Sequence, residues 1–155
     1  LNTIPGAKVK IIQDVPFELS VSPQLEPADF PVLAARGVRL IINNRPDGEA
    51  EGQLPATQAA RLARENGMAY WHIPVTFASL SEDDVNEFAQ AASRAGGPVH
   101  AHCRSGHRSA TLWALAGVLS GRCTPSEAFT KLEALGFDPK PGHAWLDGHA
   151  GKSPL

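Results

Sequence analysis

The spacing of apolar and polar residues changes several times along the chain, and each change predicts an element. Phe17 to Ser22 alternates, as a strand with one buried face does. Pro27 to Arg36 has helical spacing, with Pro in its first turn and Gly37 after its end. Val38 to Asn43 is a strongly apolar strand, and Asn44-Arg45-Pro46-Asp47-Gly48 is turn chemistry throughout. Pro55 to Asn66 predicts a second helix closed by Gly67, and Ala69 to Val75 a strand broken late by Pro74. Ser81 is the expected cap of a helix over Glu82 to Arg94, with Asp83 and Asp84 favouring its positive end. Pro98 to His102 is a short strand, followed by helices at Ser109 to Leu119 and Pro125 to Leu135, the latter closed by Gly136. The tail from Phe137 onward, with Pro139 and Pro141, is expected to be mostly irregular.

Strands alternating with helices predict an α/β fold of three layers, a largely parallel central sheet flanked by helices. In such sheets ligands gather at the carboxyl ends of the strands. That places Asn43 to Asp47, Thr76 to Ser79 and the segment after His102 on one edge. The 155 residues are expected to form a single domain with a core over about 15–137 and an irregular tail over 138–155.

Composition narrows the picture. Hydrophobic content of 43% and charged content of 19% suit a globular protein, and no apolar run approaches the length of a membrane span. A net charge of −2, with no basic stripe interleaved with aromatics, argues against a nucleic-acid partner, and no membrane partner is expected. Leu1 to Asp14 does not resemble a signal peptide, so a cytoplasmic protein is expected, although the chain does not begin with Met. Cys103 and Cys123 are too few for a disulfide framework. Cys123, ahead of a helix, reads as a packed structural thiol rather than a partner for Cys103.

The candidate chemistry lies in His102-Cys103-Arg104-Ser105-Gly106-His107-Arg108-Ser109, between a buried strand and a helix. A strand, a tight loop and a helix N-terminus make an anion cradle, because backbone N–H groups converge with the positive end of the helix dipole. Helix N-termini and neighbouring cations favour the thiolate, the reactive form of cysteine. A lone cysteine is more often an inert small hydrophobe, but here a Gly, two Arg and a Ser crowd the same few residues. Cys103 is the expected nucleophile, Arg108 a planar fork suited to tetrahedral oxyanions, and Ser109 a donor to the sulfur. Arg104, Ser105, Gly106 and His107 are expected to bind substrate through the loop.

These motifs resemble the phosphatase-like domain of the bacterial beta-lactamase-hydrolase-like family. The resemblance rests on Val21-Ser22-Pro23-Gln24-Leu25, Ile42 to Glu49, Tyr70-Trp71-His72-Ile73-Pro74-Val75 and His102 to Ser109. It implies the fold of tyrosine and dual-specificity phosphatases, and a chemistry of either phosphatase or rhodanese-type sulfurtransferase. Two features favour sulfur transfer. Only Arg104, Ser105, Gly106 and His107 separate Cys103 from Arg108, one residue fewer than in phosphatases of this fold, which removes an amide donor from a ring that must surround a phosphoryl group. The loop after the Ile-Pro-Val strand, Thr76-Phe77-Ala78-Ser79-Leu80, lacks the Asp that protonates a leaving alkoxide.

The expected function is therefore a sulfurtransferase with a Cys103 persulfide. It would move sulfur from a small anionic donor to a thiol or cyanide acceptor without a cofactor, fused to or associated with a sulfur-oxidising enzyme. The alternatives are a cysteine-dependent phosphatase and a non-catalytic persulfide carrier or redox sensor.

Asp47 is the one carboxylate that could still serve in catalysis, although Arg-Pro-Asp-Gly is also a good type I turn. Asn44 and Arg45, on the same loop, could orient an anionic substrate. His100 and His102 share a strand face, but without metal-site spacings no metal is expected. Trp71, Trp113 and Trp145 are expected in the core.

Overall fold

The computed structural model describes residues 9–13 and 18–150. Its strands are β1 (Lys10–Gln13), β2 (Glu18–Ser22), β3 (Leu40–Asn43), β4 (Ala69–His72) and β5 (Val99–His102). Its helices are α1 (Asp29–Ala35), α2 (Ala56–Glu65), α3 (Glu82–Ser93), α4 (His107–Leu119), α5 (Pro125–Ala134) and α6 (Lys140–Ala150). The sheet runs β1-β2-β5-β3-β4, parallel except where β1 pairs antiparallel with β2. This is the three-layer α/β arrangement that the alternation of elements predicted.

Strand periodicity sorts the layers. In register, Leu19, Val99 and Leu40 lie side by side, as do Val21, Ala101 and Ile42. All six feed the larger core cluster, with Phe88 of α3, Leu112 and Leu115 of α4, and Phe129 and Leu132 of α5. The intervening residues face the other layer, where Ile41 packs with Phe30 and Leu33 of α1 and Ala59 and Ala63 of α2. Helix α4 is buried continuously from Ser109 to Gly117, which explains why its sequence is apolar on every side. It carries the reactive loop's helix through the centre of the core.

The capping of α3 is as expected, and more complete. Ser81 accepts from the Asp84 amide while the Asp84 carboxylate accepts from the Ser81 amide. Three expectations need correction. The tail is not mostly irregular, because Lys140–Ala150 forms α6. Pro141 stands in its first turn, where a missing N–H costs nothing. Gly142 lets the helix close on α5, since a Cβ there would lie 2.8 Å from the Phe129 ring. Lys10–Gln13 adds the edge strand β1, where no strand was expected. Trp71 is 49% exposed on the other edge strand, with its indole N–H on Glu87, whereas Trp113 and Trp145 are buried. The expected strand start at Phe17 and most of Leu1 to Asp14 lie outside the described residues.

Among the described residues no helix is long and apolar enough to cross a membrane.

Candidate active site

Cys103 follows β5 directly and is fully buried, with its Sγ accepting the Gly106 N–H at 3.1 Å. That bond needs a sharp reversal, and Gly106 provides it at φ 96° while serving as the N-cap of α4. A Cβ at Gly106 would also come within 3.3 Å of the Phe137 ring and 3.4 Å of the Ser22 backbone. Gly106→Ala is therefore expected to cost about 1–3 kcal/mol from backbone strain alone. The thermal midpoint should fall, and an unchanged midpoint would show that the loop tolerates another conformation.

The helix starts two residues earlier than predicted, at His107 rather than Ser109. Its first internal bond runs from the Ala110 N–H to the Gly106 carbonyl at 3.0 Å. The amides of His107, Arg108 and Ser109 therefore belong to the open first turn and point toward the loop. His107 N–H already reaches Ser105 Oγ.

Arg108 is held from three directions. Its Nη1 donates to Glu49 Oε2 and to the Val75 carbonyl, both at 2.8 Å, and its Nη2 donates to Glu49 Oε1 at 2.9 Å. Glu49 also accepts from Arg45 Nε at 2.9 Å. The Arg108 hydrogen bond, followed by that from Arg45, outweighs partial burial and pulls the Glu49 carboxyl down to about 2. Arg108 is pushed above its ordinary range, first by Glu49 and further by the nearby Cys103 sulfur. These bonds use three of the five guanidinium N–H groups and leave Nε–H and one Nη2–H, a fork beside the sulfur. Glu49 was not among the residues picked from sequence. Its position four after Arg45 was the available signal, but only the fold brings Arg108 to it.

The other candidates separate. Ser109 does not give its proton to the sulfur: its hydroxyl donates to Asn44 Oδ1 at 2.8 Å. Asn44 is fully buried and also donates to the Ile73 carbonyl, so it ties three segments together rather than presenting an amide to substrate. Arg45 is 4% exposed, and besides Glu49 it reaches Gln24 Oε1, so it braces Glu49 from behind. Asp47 accepts the Ala56 N–H at 2.9 Å, the turn-and-cap role, on the exposed side of its loop. Arg104 and Ser105 are exposed at the tip, with the Arg104 carbonyl held by the Gln24 amide. Cys123 packs on Gly117 in the α4–α5 seam, beside an open cavity of about 690 Å³.

Behind the loop, His100 and His102 are buried. Ser22 must give its single hydroxyl proton to the Pro23 carbonyl, so it accepts from His100 Nε2, and Nδ1 pairs with Ser20 Oγ at 2.7 Å. Burial pushes His100 down to about 3 and His102 to about 4. Because the unfolded chain takes up protons first, stability should be complete above about pH 6.5 and fall as pH drops toward those values. At pH 5 each ring should cost on the order of 2 kcal/mol relative to pH 7. Urea midpoints measured from pH 7 to 5 check this, and a flat profile would contradict it.

The phosphatase-like domain profile of the beta-lactamase hydrolase-like protein family matches residues 12–120. A beta-lactamase hydrolase-like protein of Agrobacterium fabrum (strain C58) is 40% identical over 136 residues, 88% of this chain and 32% of the relative. The chain thus spans about a third of the length of the curated relatives it matches. Among solved structures, a "putative phosphatase" of Neisseria meningitidis Z2491 superposes with a TM-score of 0.74 at 34% identity, covering 84% of this chain and 92% of that one. TpbA of P. aeruginosa, at 14% identity and a TM-score of 0.67 over 89% and 83% of the two chains, shares the fold.

These likenesses overturn the sulfurtransferase expectation, since the matched family domain and the 34% identical neighbour are both described through phosphatases. That expectation rested on a loop one residue short and on the missing acid in Thr76 to Leu80, features of the sequence that did not choose between the two chemistries. The chain belongs to the family of phosphatase-like domains found in beta-lactamase hydrolase-like proteins.

Proposed function

We propose that this domain is a cysteine-dependent phosphatase acting on phosphoesters such as aryl or protein phosphates. The observation that carries the reading is the Arg108 fork, fixed by Glu49 and Val75 beside a buried cysteine sulfur at a helix N-terminus. Phosphoryl transfer asks mainly for positioning and for charge stabilisation on the equatorial oxygens. The free edge of Arg108 and the first-turn amides offer both. Two arginines against one glutamate leave the cradle net positive, which suits an anionic substrate.

In this mechanism the Cys103 thiolate attacks phosphorus, and the ester oxygen leaves. Water then releases phosphate from the phosphocysteine. Arg108 and the amides meet the growing negative charge with donors already in place, so little reorganisation is needed. The structural neighbours do not select a substrate. TpbA was crystallised with phosphotyrosine and PTPMT1 with a phosphoinositide, and both share only the fold at this level of identity.

The test is steady-state hydrolysis of p-nitrophenyl phosphate, with orthovanadate as inhibitor and acid quenching to trap a phosphoryl group on the Cys103 peptide. Turnover with a Cys103 adduct is expected. No turnover on any aryl phosphate would refute the reading.

A further inference from the structure

The phosphatase reading leaves one chemical gap, the source of a proton for the leaving oxygen. The Thr76-Phe77-Ala78-Ser79-Leu80 segment has no titratable side chain. The carboxylates around the cradle are committed: Glu49 to two arginines, Asp47 to the Ala56 amide and Asp84 to the Ser81 amide. His72 also gives its Nε2 to a carbonyl, that of Arg45, but it stands on β4 behind the Arg45 loop and not on the Cys103 loop.

His107 remains, the loop residue immediately before Arg108. Its ring lies between two elements that flank the cradle. It meets Phe77 edge-on at 5.0 Å and stacks on Phe137 at 5.8 Å with only 8° between planes. Phe77 lies two residues beyond Val75, whose carbonyl binds Arg108, so the ring packs on the segment that anchors Arg108. Its Nε2 is 2.7 Å from the Asp138 carbonyl. A carbonyl can only accept, so Nε2 holds its proton there, and Nδ1 is the ring atom left to give or take one.

We propose that His107 is the general acid and base of the phosphatase cycle, acting through Nδ1. This rests on the phosphatase reading. As the Cys103 sulfur bonds to phosphorus and the P–O ester bond breaks, the Nδ1 proton passes to the departing oxygen and leaves a neutral ring. In the second step Nδ1 takes a proton from the water that attacks phosphorus. The S–P bond breaks and returns the thiolate, and phosphate leaves. The charged neighbours are few. Arg104 and Arg108 flank His107 on its own loop, the Phe77 segment brings none, and beside Phe137 stand Lys10 Nζ, near Gly136, and the Asp138 carboxylate, turned to the Lys140 amide.

The test compares wild type and His107→Asn on phenyl phosphate, a poor leaving group, and p-nitrophenyl phosphate, a good one. Proton donation matters most for the poor one, so kcat/KM, which reports the first step alone, should fall about 100-fold or more on phenyl phosphate and far less on p-nitrophenyl phosphate. Orthovanadate inhibition should persist, because the oxyanion contacts are untouched. Equal losses on both esters, or loss of vanadate inhibition, would overturn the proposal and make the ring a structural part of the loop.

If the variant does not fold, wild type alone decides. Across a series of aryl phosphates, the dependence of kcat/KM on the leaving group should be shallow in acid and steep in alkali. A slope independent of pH would overturn the proposal. A wild type that hydrolyses no ester would instead refute the phosphatase reading itself.

Discussion

Cys103→Ser is expected to abolish aryl phosphate hydrolysis while leaving the fold intact. The sulfur sits fully buried with the Gly106 amide on it, and a serine hydroxyl fits the same space. A hydroxyl there keeps its proton at neutral pH and is a far weaker nucleophile than a thiolate. No phosphoryl adduct should form, and turnover should drop by more than about 10⁴-fold, the scale seen when a covalent nucleophile is removed. Because the donors around the site are unchanged, orthovanadate should still bind and still raise the thermal midpoint. The discriminating measurement is therefore a pair, activity and vanadate stabilisation. Loss of both would mean that the sulfur holds the loop rather than attacking substrate. Retained activity would move the nucleophile elsewhere, with Cys123 the first residue to examine.

Arg108→Lys should also cost heavily, though less than loss of the nucleophile, and Arg104→Lys very little. Arg108 spends one edge on Glu49 and the Val75 carbonyl and keeps the other for an oxyanion. A lysine has three donors at a point and cannot do both at once. Losing donors that are already in place for transition-state charge costs about 10²–10³-fold in kcat. Arg104 is exposed at the loop tip, so its change to lysine alters little but a distant charge.

Glu49→Gln completes the argument. It keeps one oxygen acceptor but removes the charge that holds Arg108 and Arg45 together. It should lower kcat by about tenfold and should be non-additive with Arg108→Lys, because both act on one network. Additive losses in the double variant would show that Glu49 serves something other than Arg108. The Glu49 carboxyl, held near 2 by its arginines, should stay ionised in mild acid, so this brace fails only when pH falls toward that value. The fold should weaken earlier, through His100 and His102.

The sequence alone determined the layer architecture and singled out the loop on which the proposed chemistry rests. Period-two strands such as Leu19 and Val21, and the all-apolar run that became α4, are set by local burial, and burial is legible in residue type. The Ser81 cap and the Pro55 and Pro125 helix starts are local backbone chemistry. Cys103 and Arg108 were legible because five informative residues crowd one strand-to-helix loop.

What tertiary structure decided are the pairings between segments far apart in sequence. Glu49 reaches Arg108 across fifty-nine residues, Ser109 turns to Asn44, and His107 meets Phe77 and Asp138. No local period encodes such contacts. They exist because parallel crossovers bring the ends of β3, β4 and β5 to one edge of the sheet. Helix α6 escaped for the same reason: its Pro and Gly residues weaken it locally. Its stability comes from Trp145 donating to the Leu80 carbonyl and from Gly142 fitting against Phe129.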